Sequence, residues 1–361
     1  MARINVAIVG CGRISDLHQL GYRKVKDAEI VAVYDQSRRK AQAKARSWEV
    51  GRVCESYEAV LSDPNIDLVE LLIPHHLHAE MAIAACRAGK HVSLQKPIAL
   101  SLADADRLLD EAEKAGVVLR IYENAIFYPP YVRAKQLVDA GEIGIPRMIR
   151  IHFNTGKRSK GWDVSIDAWM WRLDEKRCGG GPLVFDHGHH LFSMAYDLMG
   201  DVECVTAWID KTPVIPTKSL DAPATVMLKF KKPRCYGVMD FVHTPSMHID
   251  SDYYADDNRI EVVGERGVVF INRWTAKTVD LPALLMFRDG QTTPIPVERV
   301  EWYEAFIDCT RHLIDVLMGK QMTPRLDGKS GRAILQLMQA VQISAREHRE
   351  VQVDEVQTIG P

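Results

Sequence analysis

The stretch VAIVGCGRIS, residues 6–15, decides the reading of this chain. An apolar run stops at two glycines spaced by one residue, and a helical pattern starts at Ser15. Gly10, Gly12 and Ser15 fit G-x-G-x-x-S. The first glycine permits a tight strand-to-helix turn. The second lets backbone approach a pyrophosphate. The third place needs a small side chain for close helix–strand packing. The helix start then offers unpaired N–H groups and a positive dipole end to phosphates. The next apolar strand closes on AVYD, with Asp35 25 residues after Gly10. A carboxylate there accepts hydrogen bonds from the adenosine ribose and favours NAD. Arg38 and Arg39 lie within reach of a 2′-phosphate, which leaves NADP open.

Working outward, the pattern continues. Strands are expected at Ile4–Val9, Glu29–Tyr34, Asp67–Ile73, His91–Leu94 and Val117–Tyr122. Helices are expected at Ser15–Val25, Ser37–Trp48, His76–Ala88 and Ser101–Ala115. Near-continuous apolar strands alternating with helices predict a parallel sheet covered on both faces. After Asn124 the character changes. A helix at Pro130–Ala140 is followed by longer alternating runs at 147–156, 203–210, 224–232, 234–244 and 258–273, then helices near Glu301–Met318 and Gly328–His348. The fold class is therefore α/β: a doubly wound Rossmann domain over 1–123, and an α+β domain over 124–361 with a large, mostly antiparallel open sheet.

The bulk properties agree. The chain has 361 residues, 47% apolar and 26% charged, with a formal net charge of −2. Length suggests two domains, and the charge gives no reason to expect nucleic acid or an acidic membrane as partner. Seven scattered cysteines without a CxxC pair read as reduced, buried thiols. With no signal peptide pattern and no membrane-length apolar run, the expected location is the cytoplasm.

Two further stretches carry chemistry. In AGKHVSLQKP, residues 88–97, Lys96 stands after the fourth strand and before Pro97, which biases it to extended backbone. The carboxyl ends of such strands line the ligand crevice, where an ammonium group hydrogen-bonds a substrate hydroxyl. In CGGGPLVFDHGHHLFSMAYDLMG, residues 178–200, three glycines lead into an expected helix bearing Asp186 and His190. Spacing i, i+4 would put both on one face, the carboxylate orienting the imidazole. His187 and His189 would point elsewhere on that helix. The cluster of His and Asp also admits a metal reading, set aside for want of a converging cysteine or carboxylate set. Between them, GKRSKGWDVSIDAWMWRLD, residues 156–174, offers Trp162, Trp169, Trp171 and Arg172. Flat aromatic faces suit the C–H faces of sugar rings, and arginine forks suit hydroxyls.

The chain resembles the Gfo/Idh/MocA oxidoreductases. The resemblance rests on the glycine turn, Asp35, IPHHLHAEMAIAACRAGKHV (73–92), AGKHVSLQKP, LVDAGEIG (137–144) and the glycine-rich stretch at 178–200. It implies that Lys96, Asp186 and His190 meet at the reacting carbon, with His190 as general acid/base and Lys96 holding the hydroxyl or sharing its proton. It implies a nucleotide site of Gly10, Gly12, Arg13, Ile14, Asp35 and Arg38, completed by Pro74, His75, His78, Gln95 and Lys96. Asn124 and His187 join the tryptophans and Arg172 as substrate contacts. One departure is Gln95, where the family usually has glutamate; a carboxylate beside Lys96 is lost. The implied activity is hydride transfer between NAD(P) and a secondary hydroxyl of a sugar, glycoside or cyclitol. The implied assembly is a homodimer or homotetramer. Alternatives are a redox-neutral glycoside-processing enzyme with tightly held NAD, a reductase using NADPH, and a non-catalytic dinucleotide-binding regulator.

Overall fold

The computed structural model describes residues 3–357. The first half alternates strand and helix: β1 (Ile4–Val9), α1 (Ser15–Arg23), β2 (Ala28–Tyr34), α2 (Arg38–Trp48), α3 (Tyr57–Leu61), β3 (Leu68–Leu71), α4 (His78–Arg87), β4 (His91–Gln95), α5 (Leu102–Ala115) and β5 (Leu119–Tyr122). The strands form a parallel sheet in the order β2-β1-β3-β4-β5. An isolated parallel bridge between Val33 and Val53 adds a vestigial strand outside β2. Strand order therefore reverses direction between β1 and β3, and a ligand crevice opens at such a switch point. Helix ends follow local chemistry. Ser101 caps α5 by accepting the Asp104 N–H at 3.1 Å, and Gly116 ends it at φ +64°.

The second half carries α6 (Pro129–Asp139), β6 (Pro146–Arg158), α7 (Ile166–Arg172), α8 (Glu175–Cys178), a π-helical turn (Pro182–His187) and α9 (Gly188–Met199). Then follow β7 (Val202–Ile209), β8 (Thr212–Ile215), β9 (Lys218–Leu220), β10 (Ala224–Phe230), β11 (Tyr236–Ile249), β12 (Asp256–Gly264), β13 (Gly267–Ile271), β14 (Leu284–Arg288), β15 (Gln291–Pro294), α10 (Trp302–Leu317), α11 (Gly328–Glu347) and β16 (Val351–Gln352). Nine strands form a second sheet in the order β15-β14-β13-β12-β6-β11-β10-β7-β16. It is antiparallel except for the β6–β11 pair. One face buries Ile149, Ile151, Phe153, Val226, Met239, Phe241, Ile260 and Val262 beneath α9 and α11. The helices α10 and α11 return to the first sheet: Arg120 on β5 donates to the Cys309 carbonyl at 2.6 Å, and the Tyr122 hydroxyl donates to the Phe306 carbonyl at 3.1 Å. No helix among the described residues is long and apolar enough to cross a membrane.

The structure departs from expectation where sequence periodicity is weakest. The short helix α3 of the first half, and α7, α8, β8, β9, β14 and β15 of the second, carry too few turns or alternations to show a period.

Candidate active site

The glycine turn is dictated by contact as well as conformation. Gly10 adopts φ +100°, and a Cβ there would stand 2.1 Å from the Leu72 carbonyl oxygen on the neighbouring connection. At Gly12, by contrast, a Cβ would meet nothing within 4 Å. The Ser15 hydroxyl donates to the Gly12 carbonyl at 2.6 Å and pins the start of α1. Asp35 accepts the Cys11 N–H at 2.8 Å and the Ser37 N–H at 2.7 Å, so its carboxylate is fixed at the lip of the turn. Arg38 is drawn away to Glu55, at 3.0 Å. Ile14 forms the first residue before α1 and packs against the core, while the Arg13 guanidinium stacks 4.6 Å over the Trp162 ring. These residues fit a dinucleotide: a turn closed to side chains at Gly10, open at Gly12, and a fixed acceptor for the ribose.

At the ends of β3 and β4 the expected residues divide. Pro74 leads into a short 3₁₀ turn bearing His75. The His75 Nδ1 lies 2.8 Å from the Cys178 carbonyl and its Nε2 lies 3.3 Å from Asp186 Oδ1. Burial holds its proton affinity down. His78 turns inward instead. Its Nδ1 is 2.6 Å from the Pro97 carbonyl and its Nε2 2.9 Å from the Ile73 carbonyl. A neutral ring donates to one of them at a time. Burial lowers its pKa to about 3, so it is a neutral staple between two strand ends. Gln95 also faces inward. Its Oε1 accepts the Lys96 N–H at 2.9 Å, and its amide nitrogen meets His18 Nε2 at 3.2 Å; the other ring nitrogen of His18 lies 2.7 Å from Glu70.

Lys96 reaches across to the second domain. Its Nζ donates to Asp186 Oδ1 at 2.6 Å and to the Asp186 carbonyl at 2.5 Å. Arg172 Nε donates to Asp186 Oδ2 at 2.7 Å. Burial alone would raise the Asp186 pKa, but Lys96, Arg172 and His75 hold it well below the ordinary carboxylate range. Asp186 sits in the π turn, whose start is held by Asp221: its two oxygens accept the N–H groups of Leu183 at 2.8 Å and Val184 at 2.7 Å.

His190 does not pair with Asp186. Its Nδ1 lies 2.5 Å from Glu123 Oε1, and His189 Nδ1 lies 2.9 Å from Oε2 of the same carboxylate. His189 thus joins the site rather than pointing away. The reason is the π turn: with i→i+5 geometry the chain is wound wider there, so residues four apart do not stack. Burial, chiefly, lowers the proton affinity of His187 and His189, and the charge of Lys96 adds to it. His187 stacks on Phe153 at 4.1 Å, with its ring 5.5 Å from that of His190. Its Nδ1 is 3.8 Å from Asp256 and its Nε2 is 3.5 Å from Asn258. Asn124 is buried, and its Nδ2 has no partner among the described residues.

The tryptophans also divide. Trp162 is clasped edge-on by Tyr253, Tyr254 and Trp302, at 5.3, 5.6 and 6.3 Å. Trp171 sits edge-on to His75 at 4.8 Å, under the Arg172 guanidinium. Trp169 faces outward, 41% exposed. The segment 158–178 thus touches the glycine turn at Arg13 and the β3 end at His75. Glu123, His189, Asp221, Asp256 and Asn258 were missed in the sequence. Only Glu123 left a signal there: an acid placed directly after a β-strand, where the crevice opens.

Comparison with known proteins shows the family. Residues 4–123 match the oxidoreductase family with NAD-binding Rossmann fold, and residues 131–270 match the GFO/IDH/MocA C-terminal domain. The chain belongs to the Gfo/Idh/MocA oxidoreductase family. It is 28% identical to a myo-inositol 2-dehydrogenase of Thermotoga maritima, over 98% of this chain and 99% of that one. It is 26% identical to a D-apiose dehydrogenase of Paraburkholderia graminis, over 99% of this chain and 92% of that one. Among solved structures, an oxidoreductase from Agrobacterium radiobacter in complex with NAD+, L-tartaric acid and magnesium shares the fold, with a TM-score of 0.83 at 20% identity, covering 99% of this chain and 100% of that one.

Proposed function

We propose that this chain is an NAD-dependent dehydrogenase that oxidises a secondary hydroxyl of a sugar, glycoside or cyclitol to a ketone. The observation that carries the reading is the junction of Lys96, from the strand end of the first domain, with Asp186, in the turn that leads to His190. The names of the relatives, acting on myo-inositol and D-apiose, support the substrate class. NAD, held by the glycine turn and Asp35, supplies the hydride acceptor when bound. The chain's residues do the rest. The Lys96 ammonium donates a hydrogen bond to the substrate oxygen and stabilises charge developing there. His190 Nε2 takes the hydroxyl proton. Asp186 and Arg172 fix Lys96 in an orientation that a free lysine would not keep. Asn124, His187 and the ring of Trp171 would bind the remaining hydroxyls and ring face.

A panel of myo-inositol, D-apiose and levoglucosan, with NAD reduction followed by absorbance, tests this. Turnover of at least one supports it. Tight NADH binding without reduction on any of them refutes it. One observation favours a second reading, the redox-neutral enzyme with retained NAD: the segment 158–178 straps both ends of the nucleotide crevice, through Arg13 and His75. Release of NADH in step with product formation decides against that reading.

Assembly and location follow the same line. The sheet face opposite the helices carries Trp208 and Met227, 55% and 42% exposed, beside the His152–Asp240 pair. That face supports a homodimer or homotetramer, which light scattering in solution tests. All seven cysteines are unpaired and buried, which supports a reducing compartment such as the cytoplasm.

A further inference from the structure

Glu123 follows directly on β5 at the crevice end of the parallel sheet, and it is 1% exposed. A buried carboxylate is costly unless its oxygens are satisfied. Here Oε1 meets His190 Nδ1 at 2.5 Å and accepts the Ala125 N–H at 2.9 Å, while Oε2 meets His189 Nδ1 at 2.9 Å. We infer that Glu123 is the positioning residue for proton transfer at this site: it holds His190 with Nδ1 protonated and turns a bare Nε2 to the substrate hydroxyl.

An ionised carboxylate only accepts, so both facing ring nitrogens must carry hydrogen. A neutral imidazole has one N–H, and the Glu123 contact spends it. Among the described residues, Nε2 of His190 has no hydrogen-bond partner, so its lone pair remains for the reaction. Burial would raise the Glu123 pKa, but His190 and His189 hold it well below the ordinary range, which keeps it an acceptor. His189 serves the carboxylate rather than the substrate. Burial lowers its pKa to about 4, its Nε2 is buried without a partner among the described residues, and its Nδ1 is also met by the Ser193 hydroxyl at 3.2 Å. Gripping Oε2, it stops the carboxylate from rotating away from His190. Asp186 cannot take this role, because Lys96, Arg172 and His75 occupy its oxygens.

Asp186 is held by Lys96, Arg172 and His75, and His187 is kept neutral chiefly by burial, with its ring 5.5 Å from that of His190. Among the described residues, Glu123 is the one carboxylate paired with His190. Once Nε2 accepts the hydroxyl proton, the imidazolium is held by that carboxylate. The oxygen keeps the electron pair of the broken O–H bond and forms the ketone as hydride leaves its carbon. Only this kinetic step rests on the dehydrogenase reading.

Histidine-labelled protein in complex with NADH, without any sugar, tests the inference by long-range ¹H–¹⁵N correlation over a pH series. Wild-type His190 is expected to show a protonated Nδ1 and a bare Nε2. In Glu123→Gln its titration midpoint is expected to fall by about one pH unit, with NADH affinity within about twofold of wild type. The acid limb of kcat/KM on a substrate found in the panel is expected to move by the same amount, with kcat falling and KM nearly constant. An Nε2–H tautomer of His190 in the wild type overturns the inference even if the variant does not fold. So does an unchanged midpoint in a folded Glu123→Gln. Absence of turnover on every sugar, with the His190 tautomer and midpoint as stated, removes the substrate reading and leaves the role of Glu123 intact.

Discussion

Lys96 Nζ lies 2.6 Å from Asp186 Oδ1, although the two residues are 90 positions apart, one directly after β4 and the other in the π turn before α9. The pair ties the end of β4 to the turn that precedes α9, and both side chains are nearly buried. A buried pair of this kind contributes little net stability, but losing one partner is expensive. Its value here is placement. It fixes an ammonium group at the crevice end of β4, while Arg172 takes up the other oxygen of the carboxylate.

Lys96→Met keeps the length of the stem and removes the charge. Turnover on a panel substrate is expected to fall by about 10²- to 10⁴-fold, the range for a lost proton-transfer or charge-stabilising group. NADH affinity, measured by calorimetric titration, is expected to stay within a few-fold, because the glycine turn and Asp35 are untouched. Retained turnover would remove Lys96 from the chemistry.

Nucleotide choice is expected to rest on Asp35 and on the pair Arg38–Glu55. Asp35 is fixed by two backbone N–H groups and repels a 2′-phosphate, while Glu55 draws Arg38 off at 3.0 Å. Asp35→Ser with Glu55→Gln is expected to move the NADP/NAD ratio of kcat/KM by at least about tenfold toward NADP, each charge removed being worth roughly a kcal/mol at this exposed lip. An unchanged ratio would show that another contact selects the nucleotide.

The first domain was legible in the sequence because its signals are local. Gly10 needs a positive φ, strands buried on both faces are mostly apolar, and Gly116 ends α5 where the helical pattern ends. The alternating runs of the large sheet were legible for the same reason. The pairing of charges was not. Asp186 and His190 stand four apart, the spacing of neighbours on an α-helix, but the π turn and the pull of two distant partners, Lys96 and Glu123, separate them. Gln95 and His78 look like crevice residues because they flank Lys96 and Pro74. In the structure the half-buried Gln95 amide meets His18, and the buried His78 imidazole meets the Pro97 and Ile73 carbonyls. Sequence proximity reports which strand end a residue occupies; it does not report which way the side chain turns.

Trp162 joins the two domains by stacking under Arg13, within an aromatic group that includes Trp302 at the start of α10. A cation over an indole contributes about 0.5–2 kcal/mol. Trp162→Ala is expected to raise the NADH dissociation rate several-fold, read by stopped-flow displacement, with a smaller change in the association rate. Unchanged release would mean that segment 158–178 does not retain the nucleotide.

Asp256 gives the stability a pH dependence with a definite sign. Burial, together with the neighbouring Asp257, pushes its pKa up to about 7, against a partial opposing pull from the Thr275 hydroxyl. A group whose folded pKa is raised contributes fully below its unfolded value, near 3.8, and that contribution is lost as pH climbs through about 7. The ceiling is the difference of about three units at about 1.4 kcal/mol each, roughly 4 kcal/mol. Asp256→Asn keeps the shape and cannot ionise. The Tm of the variant minus that of the wild type is therefore expected to be smallest near pH 4 and to grow more positive up to pH 8. Comparing the two proteins at each pH cancels the opposite slopes from Asp186 and Glu123, whose folded pKa values are lowered. A difference in Tm that is constant with pH would show that Asp256 stays ionised in the folded protein, paired more closely with His187 than their 3.8 Å separation implies.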